Sequence, residues 1–369
     1  MATAASVLRS WRLPAEQQRA QVGWRDNFIT ILMGLWLMIG LFIDGWAHNT
    51  LGSTLESFFT PWHAVFYSGY TANVAWIGYL LLRQYHAGRR DLAVIPRGYH
   101  LGVLGVLVFG AGGVGDMLWH IIFGIEVNLE ALLSPTHLLL FLGGMLIFAS
   151  PFLATWQSND PAGDAPSFVA FLPALGALTM MTSFVSFMNM YLWAPLQPLH
   201  TTAMADWITT NHWSSRRVLT QLTHELGVEN ILISNLILIA PVLLVLRRWQ
   251  PPFGAVTFLY TLNAILMAAL RGFENVDSIA IALISGLVAD TLIKVLHPRS
   301  DRVAAYRVVA IAIPLVYWSL FFAGTLFRSG IAWSAEFVGG ATVMAALTGL
   351  ALSLLMTPPA LPARLASSP

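Results

Sequence analysis

The chain contains no cysteine among its 369 residues. That excludes disulfides and thiolate metal sites, and it leaves the redox compartment unmarked. Charge is scarce too. Only 10% of residues are Asp, Glu, Lys or Arg, against about 25% in soluble domains. The net charge of +1 says nothing about nucleic acid, which is not an expected partner. No His-Glu-x2-His motif and no nucleophile–base arrangement occurs. The glycine-rich "FGAGGVGD" (109–116) lacks the Lys-Ser/Thr ending of a phosphate loop. Its small residues instead predict close helix packing just before Asp116. Ten-residue segments of alternating polarity are also missing, so a membrane β-barrel is not expected.

What the chain does have is apolar length. It is 57% hydrophobic, with runs such as "FITILMGLWLMIGLFI" and "IAIALISGLVADTLI" that have the length and polarity of membrane spans. The expectation is an all-α, polytopic helical membrane bundle of about ten spans, near 27–44, 60–83, 98–121, 134–156, 167–193, 228–247, 253–271, 276–294, 307–327 and 333–356. Residues 1–26 would be a cytoplasmic segment, and 357–369 a cytoplasmic tail. Between them lie a region 27–156 and a six-helix region 157–356, the latter with a polar outer loop at 195–227. The N-terminus has no short apolar core followed by a small-residue cleavage site, so the first span is expected to act as an uncleaved signal. Fifteen of the nineteen Lys and Arg residues fall on one side of this topology and four on the other, which places both termini in the cytoplasm.

Within 27–156 one polar phrase occurs twice. "DGWAH" (Asp44, His48) is followed by "LESFFTPWH", ending at His63, and "DMLWH" (Asp116, His120) by "LEALLSPTH", ending at His137. The two Asp are 72 residues apart and the closing His 74. Asp and His four apart share one helix face, one turn from each other. Thr60 and Ser134 are suited to cap the next helix, and Pro61 and Pro135 to occupy its first position. Each phrase therefore predicts a helical hairpin that gathers one carboxylate and two imidazoles at the outer end of the bundle. That is a ligand set for a divalent transition metal. Helix-end polar residues paired with one another are the plainer explanation, and a duplicated pattern argues against it. Glu56 and Glu130 stand at matched positions before the prolines. They either hold a ligating imidazole from behind or are solvated loop acids; spacing does not choose between these. Trp46, Trp62 and Trp119 flank the ligands, as interfacial aromatic belts also would.

At these residues the chain resembles the C subunit of the copper membrane monooxygenases, the particulate methane and ammonia monooxygenase family. The resemblance spans about residues 27–156. It is carried by "DGWAH…FFTPWHAVFY" and "WHIIFGIEVNLEALLSPTHLLLF". That family's second cluster commonly begins with Asn, where this chain has Asp116. The resemblance implies that Asp44, His48 and His63 bind one copper, with the first cluster carrying the chemistry, and that Asp116, His120 and His137 bind another. It also implies reductive activation of O2 and oxidation of a small apolar substrate from the bilayer. The partners would be membrane lipid, other membrane subunits, and a soluble copper-binding or electron-donating protein. A non-catalytic protein that binds, imports or hands on copper, or an accessory subunit, is the alternative.

Three further features are expected to be structural. Met180, Met181, Met188 and Met190 suit packing more than a copper route. Arg271, Glu274 and Asp277 would form an ion cluster at a helix junction. Asp290 would pair with Lys294 one turn on.

Overall fold

The first helix, α1 (Trp24–Leu51), runs 28 residues before the chain returns in α2 (Pro61–His86). The computed structural model describes residues 19–51, 58–124, 128–158, 163–164, 167–211 and 215–357. Those residues are overwhelmingly helical. After α2 come α3 (His100–Phe123), the short α4 (Asn128–Leu133), α5 (Pro135–Trp156) and α6 (Phe168–Met188). Then follow α7 (Thr202–Thr210), α8 (Arg216–Leu246), α9 (Ala255–Ala269), α10 (Val276–Leu296), α11 (Val303–Ser329) and α12 (Ala335–Met356). The strands among the described residues are β1 (Gly163–Asp164) and β2 (Trp249–Gln250), which pair in parallel.

Among the described residues, eight helices are long and apolar enough to cross a membrane: α1, α3, α5, α6, α8, α10, α11 and α12. The other two expected spans also form helices. α2, however, carries His63, Asn73, Arg83, Gln84 and His86. At 15 residues, α9 is about 22 Å long, short of the roughly 30 Å hydrocarbon core.

Two compact units are present. The first contains α1 to α5, Val169–Met188 of α6, and Ile265–Glu274, although the last two segments lie beyond residue 156. Close backbone approaches build it. An added Cβ on Gly40 would stand 2.6 Å from the Phe66 Cα, and one on Gly69 2.6 Å from the Leu37 Cα, so α1 and α2 cross in near contact. Gly105 and Gly112 of α3 and Gly143 of α5 do the same for α3 and α5. The glycine-rich stretch therefore works as a packing surface, as expected. At the other end of α1, Asp26 takes a two-pronged ion pair from Arg83, and Tyr99 joins Thr30 and Asn27 by hydrogen bonds of 2.8 Å. Met180 and Met188 are buried in α6, where Met180 fills the space beside Gly34.

The second unit contains β1, Asn189–Ala264 and the chain from Asn275 on. Asn235 of α8 accepts from the Trp318 indole at 3.1 Å and donates to the Ala345 carbonyl at 2.9 Å, which ties α8, α11 and α12 together. Three expectations are corrected here. The loop at 195–227 is mostly helical, because α7 occupies its middle and α8 begins at Arg216. Arg, Leu, Gln and Glu there favour helix although they are too polar to read as a span. Asp290 does not serve Lys294: it accepts the Val256 and Thr257 amides, each at 3.0 Å, and the Thr257 hydroxyl at 2.6 Å, and so caps α9 from α10. Asp277 pairs with Arg328 of α11 rather than with Arg271.

Candidate metal centre

Asp44 and His48 lie one turn apart near the C-terminal end of α1, and His63 is in the first turn of α2. Thr60 caps α2, its hydroxyl accepting the His63 amide at 3.1 Å. That cap fixes where His63 enters. Its Nε2 lies 3.5 Å from Asp44 Oδ2, and the Nε2 of His48 lies 3.8 Å from the same oxygen. The second group is built alike. Asp116 and His120 are in the last two turns of α3, and Ser134 caps α5, accepting the His137 amide at 3.3 Å. Asp116 Oδ1 is 3.5 Å from His120 Nε2 and 3.3 Å from His137 Nε2.

In each triad the three ligand atoms lie within 4.8 Å of one another. Two ligands at about 2.1 Å on opposite sides of an ion would be about 4.2 Å apart. Shifts of a few tenths of an ångström would therefore close either triad on a metal.

The imidazoles are held so that Nε2 faces inward. His63 Nδ1 meets the Phe58 carbonyl at 2.6 Å, and His120 Nδ1 meets the Gly124 carbonyl at 3.2 Å. A carbonyl can only accept, so both rings donate from Nδ1, and in the neutral ring that leaves Nε2 as the ligating nitrogen. His120 Nε2 is buried and makes no hydrogen bond, and buried Asp44 Oδ1 makes none either. Buried polar atoms are normally satisfied. A nitrogen lone pair and a carboxylate oxygen left over beside such triads fit a cation.

Three of the imidazoles have a described group behind them. His137 Nδ1 meets the Ser134 hydroxyl at 2.8 Å, so two backbone carbonyls and a serine hold three of the rings. Glu130 is exposed on α4 and is not among those partners. Glu56 lies outside the described residues.

Two residues that the sequence reading passed over do bear on the site. Tyr67 of α2 donates to Asp116 Oδ2 at 3.2 Å, and Thr136 donates to Asp116 Oδ1 at 3.2 Å. Thr136 stands where the first phrase has Trp62, and that difference within the repeat was the available signal. Asp116 is consequently almost fully buried and doubly supported, whereas Asp44 has an unbonded oxygen.

The triads adjoin. The His63 and His120 ring centroids are 6.3 Å apart, and Phe58 stacks at 4.8 Å from His63 and 6.0 Å from His120. Trp46 and Trp62 meet edge to face at 5.9 Å beside the first triad. No protein-family model, curated protein or solved structure matches the chain.

Proposed function

We propose that this chain is a copper-binding membrane subunit of an O2-activating monooxygenase, similar to the C subunit of the copper membrane monooxygenases. In this reading the phrase written twice is a duplicated metal-binding hairpin in a bundle of ten spans, with both termini cytoplasmic and both triads near the outer face. The observation that supports it is the inward-facing set of four Nε2 atoms and two carboxylates, arranged as two adjoining triads. Two-His-one-carboxylate sets also hold iron and zinc. Copper is favoured because it heads the divalent affinity order and because the sequence resemblance points to it.

Copper bound at these residues would supply one-electron chemistry and the reductive activation of O2. The protein's part is to orient and shield. Phe58, Gly124 and Ser134 hold three of the four imidazoles in register. Tyr67 and Thr136 pin one carboxylate, and the paired tryptophans flank the first triad. Asp44, with its free oxygen, is the more adaptable ligand, which suits the first triad to chemistry and the second to a fixed supporting role.

The test is metal content and the electron spin resonance of purified protein in lipid. The reading expects copper bound by nitrogen at both triads. Iron at full occupancy with negligible copper would overturn it. Copper uptake by the chain alone in vesicles, with no O2 consumption in the presence of a reductant and its co-purifying subunits, would support transfer of copper instead.

A further inference from the structure

Beside the triads, a groove of about 640 Å³ runs between the start of α2 and the C-terminal half of α3. Its floor is formed by His63 and Tyr67, and its rim by Phe59 and Val114, which are 77% and 59% exposed. Leu118 and Ile121 continue the exposed apolar face along α3. In a membrane helix such a face meets lipid.

The lining offers a ligand almost nothing polar to bind. The Tyr67 hydroxyl is committed to Asp116, and the Tyr70 hydroxyl donates to the Val106 carbonyl at 2.7 Å. The Thr60 hydroxyl accepts the His63 amide, and His63 Nδ1 meets the Phe58 carbonyl. A headgroup or a quinone ring would find few groups to bind, since both tyrosine protons are already given and the Thr60 O–H is the one hydroxyl proton of the lining not seen donating. Glycine shapes the floor. A Cβ on Gly110 would stand 2.5 Å from the Tyr70 hydroxyl, and one on Gly113 2.7 Å from the Tyr67 ring, so the two tyrosines lie flat against α3 only because both positions lack a side chain.

We infer that this groove binds an unbranched aliphatic chain of about ten carbons or more, drawn from the bilayer, with one end against His63 and Tyr67. At roughly 30 Å³ for a group the size of a water molecule, the volume far exceeds a one- or two-carbon gas and falls within the range of sites for sizeable ligands. That the chain is a substrate of the adjacent triads rests on the oxidation reading above; that the groove binds it does not.

The probe is a twelve-carbon alkane carrying a terminal alkyl diazirine, photolysed with the full chain in phosphatidylcholine vesicles, both copper-loaded and metal-stripped. Labelled residues are mapped by mass spectrometry. Labelling should concentrate at the groove in both preparations and fall about tenfold with excess dodecane but not with ethane. Ala64→Trp and Val114→Trp should each cut groove labelling by a similar factor. Leu107→Trp, on the exposed face of α3 away from the groove, should not. Circular dichroism and thermal unfolding of the variants check that they are folded. Labelling spread evenly over the lipid-facing helices, or unaffected by both groove-filling substitutions, would overturn the inference. Absence of copper with groove labelling intact would overturn the metal reading alone.

Discussion

The Tyr67 hydroxyl on α2 reaches across to α3 and donates a 3.2 Å hydrogen bond to Asp116 Oδ2. A residue one turn beyond His63 thus supports the carboxylate of the other triad. The two ligand sets share a wall in which Phe58 and Tyr67 lie against both His63 and the second triad.

Tyr67→Phe should leave the fold nearly unchanged, at a cost of about 1 kcal/mol, because the ring keeps its packing. Copper affinity at the second triad should drop about tenfold as Asp116 loses one of its two donors. The first triad should be affected less. Titration of stripped protein with copper, followed site by site through spin resonance, reads both effects.

The four single-His variants should separate the triads. His48→Ala and His137→Ala are each expected to empty their own site, weakening it by more than about 100-fold, and to leave the other filled. His63→Ala and His120→Ala remove rings that face each other at 6.3 Å, so each should also lower the neighbouring occupancy, by about tenfold or less. Copper per chain is the measurement. Loss of all copper from His48→Ala or from His137→Ala would mean one shared centre in place of two.

The two caps should behave differently. Thr60→Ala and Ser134→Ala each remove a helix N-cap worth about 1 kcal/mol. Among the described residues the Thr60 hydroxyl bonds the His63 amide, whereas the Ser134 hydroxyl also bonds the His137 ring. Ser134→Ala should therefore lower copper affinity at the second triad by about 10- to 100-fold, and Thr60→Ala should lower stability with a smaller loss of affinity at the first. Equal losses of affinity in both variants would contradict this assignment.

Asp290→Ala should destabilise the second unit by about 2–3 kcal/mol, since two amides and a hydroxyl at the start of α9 lose their acceptor. Lys294→Ala should stay within about 0.5 kcal/mol. Thermal unfolding in detergent distinguishes the two, and equal effects would restore an Asp290–Lys294 pair.

His200, outside the spanning helices, is buried against Phe321, Phe322 and Trp333, and desolvation pushes its pKa down to about 4. The unfolded chain, titrating near 6.5, binds the proton first as pH falls. Stability is therefore full above about pH 6.5, declines as pH drops from there toward 4, and is flat below, with a total loss of about 3 kcal/mol. His200→Phe should remove about 3 kcal/mol from the pH dependence of unfolding measured between pH 7 and pH 4.

The linear chain alone determined the helical, membrane-type architecture and the membership of both triads. Apolar length marks spans, and an Asp-x3-His pair on one turn followed by a capped Pro-x-His start is a local pattern that local geometry turns into proximity. What tertiary structure decided was everything that depends on which helix faces which. Tyr67 supports Asp116 because glycines at 110 and 113 let α2 lie against α3. Asp290 serves the start of α9 and not the next turn of its own helix, because unbonded amides in an apolar surrounding outcompete a lysine that can reach water. Among the described residues, three of the rings are held by two carbonyls and a hydroxyl and not by Glu130. These are backbone and cap groups whose positions follow from how the helices end and begin, which residue identity does not record.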